Sequence, residues 1–243
     1  MQQQVIVTGV ANGIGAAIAR RRCIEQGYTV IGCDIDGEAM AKLAAELPAE
    51  AFFHEVVDVG DLAALRGFFS RCIERFGALY GLVNNAGLYH GKSVYRYADE
   101  EIDRIIAINL VALIHLSKDF AKHLEEAGRP GAIVNVTSVA GEVGSSDALY
   151  GATKAAVIGL TKSNAMNFAP NVRVNAVSPA LIRDTAIYHR IPQYRLEEYQ
   201  RQETLKDPIR PDGVAQVVMF LLSDASRHLT GKLIPVDNGA YPR

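Results

Sequence analysis

Short apolar segments alternate with longer helical segments along almost the whole chain, and this alternation limits the fold more than any other feature. The apolar segments are rich in β-branched and aromatic residues, which favours strands over helices. They are nearly continuous in hydrophobicity, as strands covered on both faces should be. The predicted strands are residues 5–8, 29–34, 51–58, 79–84, 132–138, 172–177 and 233–236.

The segments between the predicted strands show helical periodicity. They cover residues 13–26, 37–47, 61–76, 99–127, 147–168 and 211–223, and Pro211 with Asp212 suits the first turn of the last helix. Strands that alternate with helices indicate a parallel sheet with right-handed crossovers. We therefore expect one α/β domain over residues 1–243, with a doubly wound seven-stranded parallel sheet flanked by helices.

One segment, at about residues 179–210, breaks the alternation. It is longer than most connections between elements, and long connections are often functional lids. Ligands of doubly wound sheets bind at the carboxyl ends of the strands. The segment is therefore predicted to be a lid over a substrate site.

Composition excludes several classes of function. A formal net charge of −2 gives no electrostatic basis for binding nucleic acid or an acidic membrane surface. No apolar run approaches the ~20 residues that cross a bilayer, and the N-terminus lacks the basic and apolar regions of a signal peptide. Three cysteines without a CxxC pair are typical of a reducing compartment. We expect a cytoplasmic protein and, from the histidine spacing, no metal.

A glycine-rich turn joins the first predicted strand to the first helix. Its glycines are Gly9, Gly13 and Gly15. Glycine permits a tight turn and close approach of a pyrophosphate, and the helix N-terminus offers free N–H groups and a positive dipole end. Such a turn alone is also compatible with a βα connection that binds nothing.

An acidic residue at the end of the second predicted strand strengthens the case for a dinucleotide. Asp34 lies nineteen residues after Gly15. A carboxylate at this distance accepts a hydrogen bond from a ribose 2′-hydroxyl and would repel a 2′-phosphate. Position 12 is asparagine, so the turn offers no basic partner for that phosphate. The pattern favours NAD over NADP; the alternative role for Asp34 is a cap at the strand end.

A tyrosine and a lysine four residues apart form the candidate proton-transfer pair. Tyr150 and Lys154 would share one helix face. A free tyrosine has a pKa near ~10, and a neighbouring ammonium should lower it toward neutral pH. By itself the spacing also fits a surface pair on an amphipathic helix. Ser138 lies at the end of a predicted strand, where this fold binds its ligands, and this favours a catalytic site.

Together these motifs resemble the short-chain dehydrogenase/reductase family in its compact one-domain branch. The resemblance covers essentially the whole chain. It rests on the turn from Thr8 to Gly15, on Asn84-Asn85-Ala86-Gly87, and on Asn109, Ser138, Tyr150, Lys154 and Pro179. It implies a Rossmann fold, NAD-dependent interconversion of a secondary alcohol and a ketone, and a homotetramer or homodimer.

The family pattern also implies roles for individual residues. Ser138 would hydrogen-bond the substrate oxygen and Tyr150 would act as general acid/base. Lys154 would also hold the nicotinamide ribose, and Asn109 would position a water that relays protons. A helix-packing amide with satisfied hydrogen bonds is the alternative for Asn109. The cofactor-binding residues implied are Gly9, Asn12, Gly13, Ile14, Gly15, Asp34, Ile35, Asp58, Val59, Asn85, Ala86, Gly87, Tyr150, Lys154, Pro179, Ile182 and Thr185.

The chain departs from the family pattern in places. Ala180 stands where glycine is usual, in a segment that is one residue longer, so we expect the lid to begin at a different angle. Asn238 replaces a glycine near the C-terminus, a mild change because asparagine tolerates left-handed geometry. Asp58 also suits a cap for the helix that begins near Asp61.

The expected substrate pocket mixes aromatic, acidic and basic groups. A basic lid would favour a polar or anionic substrate, unless its charges face solvent. The candidates are Tyr89, His90, Glu142, Gly144, Tyr188 and His189.

Two other functions are compatible with the motifs. The first is a 3-oxoacyl thioester reductase; Asp34 argues against it because most such reductases use NADPH. The second is a non-catalytic NAD-binding regulator, against which the intact set of serine, tyrosine, lysine and asparagine argues.

Overall fold

The computed structural model describes residues 3–24, 28–77 and 79–241. Seven strands form one parallel sheet in the order β3-β2-β1-β4-β5-β6-β7, so the predicted doubly wound sheet is confirmed. The strands are β1 Gln3–Thr8, β2 Tyr28–Asp34, β3 Phe52–Val56, β4 Gly81–Asn84, β5 Gly131–Val136, β6 Val172–Pro179 and β7 Leu233–Val236.

Helices cover both faces of this sheet. Residues 25 and 26, predicted to end the first helix, lie outside the described residues. The helices are α1 Gly13–Ile24, α2 Gly37–Ala45, α3 Leu62–Phe76, α4 Asp99–Ile106, α5 Ala112–Glu126, α6 Ala140–Val143, α7 Ala148–Asn167, α8 Ala186–Arg190, α9 Gln193–Gln202 and α10 Pro211–Leu222.

The period-two alternation of the strands divides the core between the two faces. In β1, Val5 and Val7 belong to one buried cluster and Ile6 to the other. The first cluster includes residues of α1, α2 and α10, and the second includes residues of α3, α5 and α7. Both faces of the sheet are therefore dry, which explains the nearly continuous hydrophobicity of the strands.

The long helix predicted at 99–127 is interrupted, which corrects that prediction. Helix α4 passes into a π-helical turn, Ala107–Val111, before α5 begins. The turn contains Asn109, whose side chain bonds both backbone groups of Leu88. A π turn is commonly associated with functional sites, and hydrophobic periodicity does not reveal one.

The segment after β6 contains two helices, α8 and α9, and is tied to the body at both ends. Near its start, the Ala180 N–H donates to the Val236 carbonyl of β7 at 3.0 Å. At its far end, the N–H groups of Thr204 and Leu205 donate to the Asn238 carbonyl at 2.9 and 3.0 Å. We refer to residues 179–210 as the lid.

Left-handed geometry falls at other positions than the family pattern implied. Among the described non-glycine residues, Asp184 (φ 65°) and Asn238 (φ 53°) have positive φ, and Ala180 does not. Instead, the Ala180 N–H donates to Val236 and extends the pairing of β6 with β7. Ala180 thus avoids left-handed geometry, as expected of an L-residue, and the expected change in the angle of the lid stays a prediction; Asn238 adopts the left-handed geometry that asparagine tolerates.

Candidate active site

The carboxyl ends of the central strands open into one cleft of about 390 Å³. It lies where the strand order reverses between β1 and β4, the usual ligand position of such sheets. Residues from the glycine turn, from the ends of β2, β4, β5 and β6, and from the lid contribute to its wall.

The glycine turn packs so closely that side chains are excluded at two positions. A Cβ on Gly15 would lie 2.1 Å from the Gly9 carbonyl oxygen, and one on Gly9 would lie 2.8 Å from the Cα of Ala86. The Asn85 amide donates to the carbonyls of Thr8 and Gly9 at 3.0 and 2.8 Å. The turn is thus held as a bare-backbone cradle at the N-terminus of α1, which fits a pyrophosphate.

Asp34 lies at the edge of this cleft, as expected. Its Oδ2 accepts from the Ala11 N–H at 3.0 Å and its Oδ1 accepts from the Asp36 N–H at 3.1 Å. Each carboxylate oxygen keeps a second lone pair for a ligand hydroxyl. The neighbouring Ile35 is 65% exposed and also lines the cleft. This donor set fits the adenosine half of a dinucleotide.

Next to Asp34 the structure places an ion pair that sequence reasoning missed. The Arg104 guanidinium bonds the Asp58 carboxylate at 2.8 Å, and the Gly60 N–H donates to the same carboxylate at 2.9 Å. Burial opposes ionisation, but these bonds and the Arg104 charge hold the pKa of Asp58 below its ordinary value. Asp61, not Asp58, caps α3. Arg104 comes from the distant α4, so no local pattern indicated it.

Ser138, Tyr150 and Lys154 all line the middle of this cleft. Ser138 follows β5, and the other two lie in the first two turns of α7. The Ser138 hydroxyl is near enough to the Tyr150 phenol to favour its ionised form. The Lys154 Nζ lies 5.6 Å from the centre of the Tyr150 ring and donates to the Val136 carbonyl at 2.9 Å. A serine hydroxyl, a phenol and an amine therefore meet in one cavity.

The pKa of Tyr150 differs from the sequence-based expectation. Burial raises it to about 12, and the Ser138 hydroxyl only partly opposes this. Burial also lowers the pKa of Lys154 to about 8. The predicted lowering of the tyrosine pKa is therefore wrong, because desolvation of the phenolate is the largest effect on this buried side chain.

Asn109 lies behind the cleft wall and does not line it. Its Oδ1 accepts from the Leu88 N–H at 2.7 Å, and its Nδ2 donates to the Leu88 carbonyl at 3.0 Å and to the Thr153 hydroxyl at 3.2 Å. The amide is buried and its hydrogen bonds are satisfied. It fixes the chain after β4 beside α7.

The cofactor residues expected from the sequence are nearly all in the cleft wall, with one exception. Gly15 lies beneath the turn, packed against Gly9. Thr185, in doubt because of the longer lid segment, does line the cleft; it caps α8, and its methyl would be 3.6 Å from a Cβ on Gly13. The others in the wall are Gly9, Asn12, Gly13, Ile14, Asp34, Ile35, Asp58, Val59, Asn85, Ala86, Gly87, Tyr150, Lys154, Pro179 and Ile182.

Of the six substrate-pocket residues predicted from the sequence, Tyr89 lines the cleft and the other five do not. His90 packs edge-on against Tyr97, with ring centres 5.7 Å apart, and Glu142 accepts a hydrogen bond from Ser178. The remaining candidates outside the wall are Gly144, Tyr188 and His189. Successive side chains on a helix point about 100° apart, so neighbours along the chain of a pocket residue need not face the pocket.

Other residues complete the substrate end of the cleft. Ile187 and Ile191 are four positions apart and face inward from the lid, and Tyr199 joins them from α9. Ser145 contributes from the loop before α7. The spacing of the two isoleucines was a detectable signal; the inward turn of Tyr199 and Ser145 depends on tertiary packing.

The fold and the cleft define a dinucleotide-binding α/β protein. A family model described as enoyl-(acyl carrier protein) reductase matches residues 9–241. The chain is 34% identical to 3-oxoacyl-[acyl-carrier-protein] reductase of Thermotoga maritima, covering 96% of each. It is also 34% identical to meso-2,3-butanediol dehydrogenase of Serratia marcescens, covering 97% of this chain and 93% of the relative. The chain belongs to the short-chain dehydrogenase/reductase family and is an oxidoreductase.

Solved structures agree with this assignment. A short-chain dehydrogenase/reductase from Brucella melitensis, titled glucose/ribitol dehydrogenase, superimposes with a TM-score of 0.91 at 31% identity over the whole of both chains. A 4-hydroxyisoleucine dehydrogenase complexed with NADH gives 0.91 at 28% identity, also over both whole chains.

Three expectations from composition concern the described residues. Their helices are all too short or too polar to cross a membrane. They contain no group of three or more potential metal ligands among histidine, cysteine, aspartate and glutamate. Cys23, Cys33 and Cys72 are free thiols and are buried.

Proposed function

We propose that the protein is an NAD-dependent oxidoreductase that interconverts a secondary alcohol and a ketone. The observation that carries this proposal is the meeting of Ser138, Tyr150 and Lys154 in the cavity that Asp34 borders at its other end. Ser138 holds the substrate oxygen, and Tyr150 passes a proton to or from it. This is general acid–base catalysis by a positioned phenol.

The cofactor would lie along the carboxyl ends of the strands. The glycine turn holds the pyrophosphate, Asp34 accepts from the adenosine ribose, and Lys154 donates to the nicotinamide ribose. A bound nicotinamide supplies or accepts the hydride, while the protein provides orientation and the proton. The Pro179–Thr185 stretch covers the nicotinamide end.

The choice of NAD over NADP follows from charge at the adenosine end. The carboxylate of Asp34 faces a position where NADP carries a phosphate. The arginine of the cleft wall, Arg104, is already paired with Asp58 at 2.8 Å. A 2′-phosphate would therefore meet a negative group without a free positive partner.

The proton path leads from Tyr150 past Lys154. The Lys154 Nζ and the Asn109 Oδ1 would lie 3.4 and 3.7 Å from a Cβ on Gly87, so both border the same backbone. We infer that Asn109 holds the Leu88 backbone where a water can pass protons from Lys154 toward solvent.

The substrate is a neutral molecule with an apolar flank. Apart from the tyrosines, the wall beyond Tyr150 consists of small, hydroxyl and aliphatic side chains, including Ser145, Ile187 and Ile191. The basic lid residues His189, Arg190 and Arg195 are not in the wall. An anionic substrate would leave its charge unpaired there, at a high desolvation cost.

Reduction of a 3-oxoacyl thioester is the second candidate. The Thermotoga maritima relative bears that activity in its name and matches over 96% of both chains. The acidic residue at position 34 makes it the weaker candidate, since it opposes the use of NADPH. A non-catalytic regulator is weaker still, because such a protein need not keep the proton-transfer groups together.

We also expect assembly into a homotetramer or homodimer in the cytoplasm. The expected interfaces use the helical segments 99–127, which includes α4 and α5, and 147–168, which includes α7, together with the C-terminal strand. Ile114 on α5 is 39% exposed and Met166 on α7 is 81% exposed, so both helices present apolar side chains to solvent. Light scattering coupled to size-exclusion chromatography measures the oligomeric state.

The function is tested with a panel of neutral secondary alcohols and ketones, including 3-oxoacyl thioesters, assayed with NAD(H) and NADP(H). We expect turnover of a neutral alcohol with NAD. Tyr150→Phe should abolish turnover and retain NADH binding by fluorescence, while Tyr95→Phe, which alters a phenol that is 95% exposed, should change neither. Full activity of Tyr150→Phe would refute the mechanism, and NADPH-dependent thioester reduction would establish the second candidate.

A further inference from the structure

A fully buried carboxylate lies next to the site but has no part in the proposed chemistry. Asp147 has no solvent exposure. None of the ion pairs found among the described residues involves it. A buried charge without a cation is costly unless several donors surround it.

Three donors from two parts of the chain do surround Asp147. The Tyr150 N–H donates to its Oδ1 at 3.1 Å, and the Gly91 N–H donates to its Oδ2 at 2.8 Å. The Tyr97 hydroxyl lies 2.8 Å from both oxygens. The carboxylate also caps α7, where the helix dipole favours negative charge.

These bonds connect the proposed acid/base to the substrate wall. Tyr150 lies in the first turn of α7, which Asp147 caps. Tyr89, two residues before Gly91, packs edge-on against Tyr150, with ring centres 5.1 Å apart. One carboxylate therefore holds both the helix that carries the acid/base and the loop that carries a pocket aromatic.

We propose that Asp147 is a positioning residue that fixes Tyr150 against the Tyr89 loop and, through its charge, sets the pH at which Tyr150 transfers a proton. This inference rests on the proposed function of Tyr150. Asp147 is not part of the cleft wall, so it acts through Tyr150 and does not touch the substrate.

The charge effect has a definite sign. Burial raises the pKa of Tyr150, and the nearby Tyr89, Asp147 and Tyr199 push it the same way. A negative charge beside a phenol disfavours the phenolate. Removing the charge should therefore make Tyr150 a base at lower pH. The groups that face Tyr150 are Ser138 after β5, Tyr89 after β4, Asp147 and Lys154 of the α7 segment, and Tyr199 of α9; His90 packs on Tyr97 behind them.

Two variants separate the effect of the Asp147 charge from the effect of the hydrogen bonds that hold the Tyr89 loop and α7 together. Asp147→Asn keeps a residue that caps helices well but removes the charge. Tyr97→Phe removes the hydroxyl that bonds Asp147 and keeps both the charge and the helix cap. It remains a test of positioning if Asp147→Asn destabilises the fold. Asp61→Asn, a change of the same type at the exposed cap of α3, is the control. The measurement is kcat/KM for alcohol oxidation against pH, with NADH affinity measured by fluorescence.

The expected results differ between the variants. Asp147→Asn should lower the plateau of kcat/KM on the order of 10-fold to 100-fold and move its rising limb about one pH unit lower. Tyr97→Phe should lower the plateau without moving the limb. NADH affinity should not change, and Asp61→Asn should match the wild type.

Two results would overturn the inference. If the kcat/KM of Asp147→Asn rose with pH at the same pH as in the wild type, the charge effect would be refuted. If both variants reached the wild-type maximum of kcat/KM, the positioning role would be refuted. Failure of the proposed function is recognised separately, because the wild-type protein would then oxidise no alcohol or Tyr150→Phe would keep its activity.

Discussion

The Lys154 ammonium donates to the Val136 carbonyl at 2.9 Å, which ties the second turn of α7 to the end of β5. Ser138 follows the same strand two residues later, so the bond fixes the distance between the elements that carry the proposed proton-transfer groups. It also places a charge where water is scarce, since the lysine is 5% exposed.

This burial predicts a pH-dependent effect on stability. The pKa of Lys154 is about 8 in the folded protein, below its ordinary value of 10.5. Between these values the unfolded chain binds more protons, so the free energy of unfolding rises with pH. Relative to Lys154→Met, the wild type should gain about 2 kcal/mol from pH 7 to 9.5.

Urea unfolding at the two pH values measures this gain. Lys162→Met removes an exposed lysine from the same helix and is the control. A wild-type gain no larger than that of Lys154→Met would show that the lysine is not buried as described.

The glycine turn predicts a sharp contrast between two alanine substitutions. Gly15→Ala places a Cβ 2.1 Å from the Gly9 carbonyl, so the cradle must open. We expect a loss of several kcal/mol, as for an overpacked site, together with loss of NADH binding. Gly213→Ala meets nothing within 4 Å and should change the unfolding free energy by less than about 1 kcal/mol. NADH fluorescence titration and thermal unfolding measure both; equal behaviour would contradict the cradle.

The position of Asp34 predicts that removing its charge weakens the preference for NAD over NADP. Asp34→Asn removes the charge that opposes a 2′-phosphate but keeps an oxygen that accepts the Ala11 N–H. The ratio of kcat/KM for NAD to that for NADP should fall by about tenfold or more, since one lost repulsion is worth about 1–2 kcal/mol. Asp36→Asn, a helix cap two residues later, serves as the control. An unchanged ratio would mean that Asp34 does not read the ribose.

The hydrogen bonds of Asn109 predict that substitutions at this position destabilise the fold. Asn109→Ala leaves the Leu88 N–H and carbonyl without their partners at 2.7 and 3.0 Å. Unsatisfied buried groups cost about 1–3 kcal/mol each, so loss of the two bonds should lower the free energy of unfolding by about 2–6 kcal/mol. In Asn109→Asp the free energy of unfolding should fall further, because a buried carboxylate oxygen would face the Leu88 carbonyl oxygen in place of the Nδ2 donor. Denaturant unfolding tests the order; equal losses would count against the two-bond account.

Local patterns were sufficient for the sheet but not for every helix. All seven strands follow from runs of β-branched residues that must be dry on both faces. The break at 107–111 depends on a tertiary bond from Asn109 to Leu88, and periodicity does not contain that information. The lid helices α8 and α9 are short and polar, so their stability comes from docking and leaves little pattern in the sequence.

The site divides in the same way. Positions at strand ends, such as Asp34 and Ser138, were predictable because parallel strands bring their carboxyl ends together. Arg104 and Tyr199 were not, because each arrives from a distant helix. The predicted lowering of the Tyr150 pKa was also wrong, because desolvation depends on how much of the surrounding structure excludes water from the phenol.

The docking of the lid's far end on Asn238 has a consequence for exchanging parts between relatives. The Thr204 side chain also bonds the Gly239 carbonyl at 3.0 Å, so the lid and the tail form one module that is discontinuous in the chain. A chimera that imports a foreign lid must import its tail as well, because a mismatched pair would leave the new lid unsupported on one side.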